Sequence, residues 1–122
     1  MDIRIKATDY EITPGAQVYL DERIASIEKA LAQNSEEVRF EIEVGRAAGH
    51  AKSGDVWFAE MNLFYEGKTF RGTAQEETIN AAIDVAKDDV VRQYRKSRQL
   101  HRRLLRRGSG VAKWLTHFGR EV

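Results

Sequence analysis

Arg92, Arg95, Lys96, Arg98, Arg102, Arg103, Arg106, Arg107 and Lys113 stand within a stretch that contains no Asp or Glu. Guanidinium groups at this density suit anion capture. The planar fork of arginine offers paired N–H donors that match two phosphate oxygens, which the point charge of lysine cannot do. At 100° per residue, Arg92, Arg95, Lys96, Arg103 and Arg106 fall within about 100° of arc on a helix, with Arg102 and Arg107 beside them. A solvated helix face usually alternates its charges to gain i,i+4 pairs. Like charges at that spacing instead cost roughly a few tenths of a kcal/mol per pair. A polyanion that relieves this repulsion is therefore favoured over a face that is merely solvated.

The rest of the chain has the opposite sign. Residues 1–89 hold 10 Lys/Arg against 18 Asp/Glu, a net of −8, while residues 90–122 hold 10 against one acid, a net of +9. The overall +1 hides this asymmetry, which again suggests a polyanion partner. A membrane surface would want large apolar residues opposite the cations, and past Tyr94 the helix offers only Leu100, Leu104 and Leu105. Val111, Trp114, Leu115 and Phe118 stand at one-face spacing; that tail suits docking on a partner or lipid, or folding back on its own domain. Nucleic acid is the favoured ligand.

Other reactive side chains have blander readings. His50, His101 and His117 are far apart, and no HExxH or Cys/His spacing exists, so no metal site is expected. His101 is a further nucleic-acid contact or a solvated side chain. Gly108-Ser109-Gly110 lacks the Walker spacing and its Lys-Ser/Thr, and reads as a helix stop. Asp84 and Asp88 are one turn apart, but no histidine or nucleophile is tied to them or to Asp89. They are expected to be solvated helix residues near Lys87. Trp57, Tyr65 and Tyr94 are expected in the core rather than as stacking platforms. Nothing supports an enzyme, a cofactor or a small-molecule substrate.

The elements that must hold the cations follow from periodicity. Ile3, Ile5 and Ala7 alternate with polar residues as a half-buried strand. Thr13-Pro14 supplies an N-cap and a first-turn proline, and Ala16, Leu20, Ile24, Ile27 and Leu31 form one helical stripe ending near Asn34. Val38, Phe40, Ile42 and Val44 mark a second strand, followed by a loop over Gly45–Gly54. Trp57, Ala59, Met61, Leu63 and Tyr65 mark a third, turned by Glu66-Gly67 into a fourth with Phe70, Gly72 and Ala74 inward. The last helix is expected to begin near Glu76 or Glu77. Its stripe is Ile79, Ile83, Ala86, Val90 and Tyr94; past Tyr94 it meets Ser97 and His101, and burial should fade. The helix should run on to Gly108, overhanging its sheet with the basic part. The order β-α-β-β-β-α predicts an α+β two-layer sandwich, with a four-stranded sheet and both helices on one face. The first two strands should be parallel through a right-handed crossover.

Length and composition agree with one core. The 122 residues are 42% hydrophobic and 32% charged, as in a globular domain. Without cysteine there is neither disulfide nor thiolate chemistry. No apolar run approaches the ~20 residues of a membrane span. The start, Met1-Asp2-Ile3-Arg4-Ile5-Lys6, lacks the apolar region of a signal peptide. The cytoplasm is the expected compartment.

The run Ile3-Arg4-Ile5-Lys6, then Glu11-Ile12-Thr13-Pro14, then Leu20-Asp21-Glu22-Arg23-Ile24 through Ile27-Glu28-Lys29, resembles the ribosome hibernation-promoting factors. This family includes ribosome-associated inhibitor A, or protein Y. Ala81-Ala82-Ile83-Asp84, with Arg92-Gln93 and Arg95-Lys96 after it, fits the same family, and the likeness covers roughly residues 1–103. The resemblance implies a fold similar to double-stranded RNA-binding domains and a non-catalytic role in ribosome hibernation under stress. It implies binding to the small ribosomal subunit and its 16S rRNA in the decoding channel, blocking mRNA and tRNA, by a chain that is a monomer off the ribosome. Family binding positions carry over to Arg23 and Lys29 on the first helix, and to Arg92 and Lys96 on the second.

Two residues depart from the pattern. Ser26 stands where relatives often have lysine, and Asp89 takes another often-basic place. Arg98, Arg102, Arg103, Arg106 and Arg107 are expected to compensate. Long members add a C-terminal domain that pairs ribosomes, so the likeness is to the short form. The expected organisation is a ribosome-binding α+β domain over 1–107 with a short tail over 108–122. Two alternatives stay open: a general structured-RNA module, and a protein-interaction or transcription modulator whose basic helix docks on an acidic partner.

Overall fold

The computed structural model of the chain describes residues 1–47 and 56–106. The chain divides into two compact units, Met1–Val91 and Arg92–Val122. The first unit contains β1 (Asp2–Thr8), α1 (Pro14–Leu31), a 3-10 turn (Ala32–Glu37), β2 (Arg39–Arg46), β3 (Trp57–Tyr65) and β4 (Lys68–Glu76). Helix α2 (Ile79–Arg106) begins in the first unit and supplies all the described residues of the second. The strands lie in the order β1-β2-β3-β4, with β1 parallel to β2 and the remaining pairs antiparallel. This is the predicted β-α-β-β-β-α sandwich.

One face of the sheet is the core face. Phe40, Ile42 and Val44 pair across with Leu63, Met61 and Ala59, and all six are buried. They meet Ala16, Leu20, Ile24, Ile27 and Leu31 of α1, and Ala82, Ile83, Ala86 and Val90 of α2, all buried as well. Alternation places Glu41, Glu43, Glu60 and Asn62 on the opposite face, where none is buried. Helix α2 lies directly on β4 at Gly72. A Cβ there would stand 2.2 Å from the Ala86 carbonyl oxygen, so only glycine lets the helix backbone come so close.

Local signals explain the joints. Thr13 caps α1, its hydroxyl accepting from the Ala16 N–H at 3.2 Å, and Pro14 takes the first helical turn. Glu66 and Gly67 both have positive φ, 51° and 75°, and Tyr65 pairs with Lys68. This is the two-residue hairpin whose twist suits the strands.

Several expectations are corrected. Helix α1 stops at Leu31, not near Asn34, because Ala32 turns to φ 53° and a 3-10 turn follows. Strand β2 continues through Gly45 and Arg46, which pair with Phe58 and Trp57, so the loop begins later than expected; residues 48–55 of it lie outside the described residues. Helix α2 starts at Ile79, because Glu76 is still in β4 and Thr78 is the cap, its hydroxyl accepting from Ala81 N–H at 3.1 Å. Ile5 is 38% exposed although it shares the core face with Ile42. The reason is that β1 is an edge strand with a neighbour on one side only. Trp57 is half-buried rather than in the core, edge-on to Tyr10 and beneath the Arg46 guanidinium. Tyr65 and Tyr94 are buried as expected. No helix among the described residues is long and apolar enough to cross a membrane.

Candidate nucleic-acid interface

Burial along α2 changes character at Tyr94. Val90, Val91 and Tyr94 are buried, and from Arg95 to Arg106 no residue is. The leucines Leu100 and Leu105 are 56% and 52% exposed. With the apolar stripe gone, the helix continues through strong helix formers and contains neither glycine nor proline. It is a rod whose side chains, from Arg95 on, are exposed or half-buried.

Arg92, Arg95, Lys96, Arg102, Arg103 and Arg106 are all exposed on this rod. Among the described residues Arg95, Lys96, Arg98, Arg102, Arg103 and Arg106 take part in no ion pair. Arg92 already interacts with another group. Arg98 stands apart: it follows Tyr94 by four residues and Val91 by seven, continues their side of the helix, and is half-buried. His101 is exposed. Arg107, Lys113, His50, His117, the Gly108 helix stop and the amphipathic tail lie outside the described residues.

The cations of α1 are placed differently. Lys29 is exposed in the last turn. Arg23 stands six residues earlier, roughly 9 Å along the axis and about 120° around it, so α1 does not gather the two into one patch. Arg23 turns instead to Asp84 of α2, with its Nε donating to Asp84 Oδ1 at 2.7 Å. The Tyr19 hydroxyl donates to Asp84 Oδ2, and the Arg23 guanidinium lies 4.3 Å from the Tyr19 ring centroid. The prediction of a solvated Asp84 is therefore wrong. Both its oxygens are engaged, and it joins α1 to α2. Asp88, by contrast, is exposed and pairs with Lys87 at 3.3 Å, as expected.

The titration of the three groups follows from these contacts. The hydrogen bond to Asp84 holds the Tyr19 phenol above its ordinary value, so it stays a donor. For Asp84, burial alone would raise the carboxyl. The hydrogen bonds from Tyr19 and Arg23 outweigh it and hold the group below the ordinary carboxylate range. Asp84 in turn keeps the Arg23 guanidinium still more firmly protonated. Sequence reasoning missed Tyr19 and Asp84. The available signal was weak: each stands at the margin of a buried stripe, Tyr19 before Leu20 and Asp84 after Ile83.

The open face of the sheet is a poorer anion site. Its groove is lined by Arg4 and Lys6 but also by Glu41, Glu43 and Glu60, and Arg39 and Arg71 are paired to Glu41 and Glu60. Among the described residues no three His, Cys, Asp or Glu side chains gather as a metal site. Among the described residues, the part of α2 from Arg95 to Arg106 carries cations and no acid.

Known structures share this architecture. The N-terminal domain of Protein Y from Thermus thermophilus is similar at 21% identity, over 76% of this chain and 94% of that one, with a TM-score of 0.61. A ribosomal subunit interface protein from Coxiella burnetii is similar at 13% identity, over 81% of this chain and 99% of that one, with a TM-score of 0.65. No curated protein sequence matches the chain significantly. Residues 3–102 match the family described as Sigma 54 modulation protein / S30EA ribosomal protein. The match includes the capped first helix, the four strands and the basic helix as far as Arg102, and on that evidence this chain belongs to the S30EA ribosomal protein family.

Proposed function

We propose that this protein is a cytoplasmic ribosome hibernation factor. It binds the small ribosomal subunit in the decoding channel and lays the exposed face of α2 along 16S rRNA. The observation that carries this is the run of cations from Arg95 to Arg106 on one uninterrupted helix, exposed except for the half-buried Arg98 and forming no ion pair among the described residues. Family membership supports the partner, and so do two similar folds, one named Protein Y and the other a ribosomal subunit interface protein.

The mechanism needs no bond making. Structured RNA is recognised through its backbone and shape, and each phosphate neutralised releases condensed counterions. Arg95, Lys96, Arg102, Arg103 and Arg106 supply the charges, with Arg92 before them and Arg107, next in sequence after Arg106, as further contacts. Arg98, half-buried, contributes less, while Lys29 and Arg23 act from α1. The acidic remainder is repelled by surrounding rRNA, which fixes the direction of entry. Occupation of a channel that mRNA and tRNA require then stops translation under stress. The binding domain spans residues 1–107, and 108–122 form a tail.

Co-sedimentation with 30S subunits and 70S ribosomes tests this. With about six phosphate contacts, affinity should fall roughly a thousandfold between 50 and 200 mM salt. Arg92→Glu/Lys96→Glu should abolish co-migration and translation inhibition together. Absence of the wild-type protein from the 30S fraction at low salt would refute the proposal and point to free RNA or an acidic protein.

A further inference from the structure

Tyr19, Arg23 and Asp84 form a corner that the basic rod does not explain. A carboxylate that served only to tie two helices would do best with the two-pronged Arg fork. Here one Asp84 oxygen is taken by the Tyr19 hydroxyl and the other by Arg23 Nε, at 2.7 Å. Among the described residues Arg23 pairs with Asp84 through Nε alone, which leaves its terminal nitrogens, with the Tyr19 hydroxyl close by, outside that ion pair. The guanidinium is also seated on the Tyr19 ring, 4.3 Å from its centroid, while the side chain stays 32% exposed. A long, rotamer-rich side chain is thus held at its plane and at its edge before any ligand arrives, which lowers the ordering cost of binding.

We propose that Asp84 and Tyr19 are positioning residues that hold the Arg23 guanidinium so that its terminal N–H groups make a two-pronged contact with an RNA phosphate. This rests on the ribosome-binding proposal above, which already includes Arg23, and adds the two residues that orient it. Charge makes the idea testable by sign. Asp84→Asn adds one positive charge, so an Asp84 that merely neutralised Arg23 would leave a variant that binds RNA more tightly. An Asp84 that positions Arg23 leaves a variant that binds more weakly despite the added charge.

The experiment is the affinity for purified 30S subunits across a salt series. It compares the wild type, Arg23→Ala, Asp84→Asn, Tyr19→Phe and Asp84→Asn/Arg23→Ala, each checked by circular dichroism and thermal unfolding. Arg23→Ala should weaken binding about tenfold, the order of one charge-assisted fork. Asp84→Asn should weaken it roughly threefold to tenfold, and the double variant should bind no more weakly than Arg23→Ala alone, because the loss runs through one group. Tyr19→Phe, at unchanged net charge, should weaken binding about threefold. Tighter binding by Asp84→Asn would overturn the positioning role, as would an Asp84→Asn loss that persists without Arg23. If Asp84→Asn does not fold, Tyr19→Phe decides alone, and wild-type affinity in that variant refutes the idea. Binding lost on Arg92→Glu/Lys96→Glu but unmoved by Arg23→Ala would overturn this contact and leave the ribosome proposal standing. A wild-type protein that ignores 30S subunits would overturn both.

Discussion

The cations of this protein fall into two populations that differ in what holds them. Arg23 is bound at its edge by Asp84 and beneath by Tyr19, inside a unit whose core is closed by two helices and a sheet. Arg95, Lys96, Arg102, Arg103 and Arg106 are exposed on α2 and form no ion pair among the described residues. The first arrangement ties its charge to a neighbouring carboxylate; the second leaves its charges facing solvent. A pre-oriented arginine would contribute direction together with one phosphate contact, whereas a row of solvated arginines would contribute most of the counterion release. The half-buried Arg98 falls between them and warns that a basic residue on a basic helix is not automatically a contact.

The largest effect that would break this comparison comes from the rod. Arg95→Glu/Arg103→Glu should cost 30S binding at least a hundredfold and flatten the salt dependence by about two phosphate contacts, measured by salt-titrated filter binding. Thermal stability should be almost unchanged, because both residues are exposed and neither is paired among the described residues. A large drop in stability would show that these arginines are structural after all.

A change in the core should do the reverse. Gly72→Val places a side chain where Ala86 and Val90 backbone already lies, with a Cβ at 2.2 Å from an oxygen. Overpacking of this kind costs about 1–3 kcal/mol or more, and urea unfolding should show the midpoint falling by the corresponding amount. The fraction that stays folded should keep the wild-type salt slope, since the rod itself is untouched.

The smallest effect concerns acid. The Asp84 carboxyl is held below its ordinary value, so the unfolded chain takes up that proton first as pH falls. Its contribution to stability is intact above about pH 4 and is lost as pH falls through the folded value. Exposure limits that contribution to about 1 kcal/mol or less. Denaturant titrations at several pH values should show Asp84→Asn losing less stability on acidification than the wild type. Identical acid profiles would mean that the tie contributes nothing in solution.

Much of the fold was legible in the sequence because its signals are local. Alternation at Phe40, Ile42 and Val44, the four-and-three spacing from Ala16 to Leu31, the Thr13-Pro14 cap and the Glu66-Gly67 turn each act through near neighbours. Thr78 was harder to see, since Glu76 and Glu77 just before it also suit a helix start, and only strand pairing claims Glu76 for β4. Ile5 misled in a similar way. Its pattern gives the correct face but cannot say that β1 has no neighbour beyond it.

The sequence by itself determined the element order, the buried stripes and the uninterrupted positive run, because periodicity and net charge belong to consecutive residues. Only the tertiary structure decided which cations are committed. Tyr19 and Arg23 meet Asp84 across more than sixty residues of chain, and no local pattern encodes that meeting. It exists because burying two apolar stripes on one sheet face brings α1 and α2 together, and their half-buried margins must then satisfy each other.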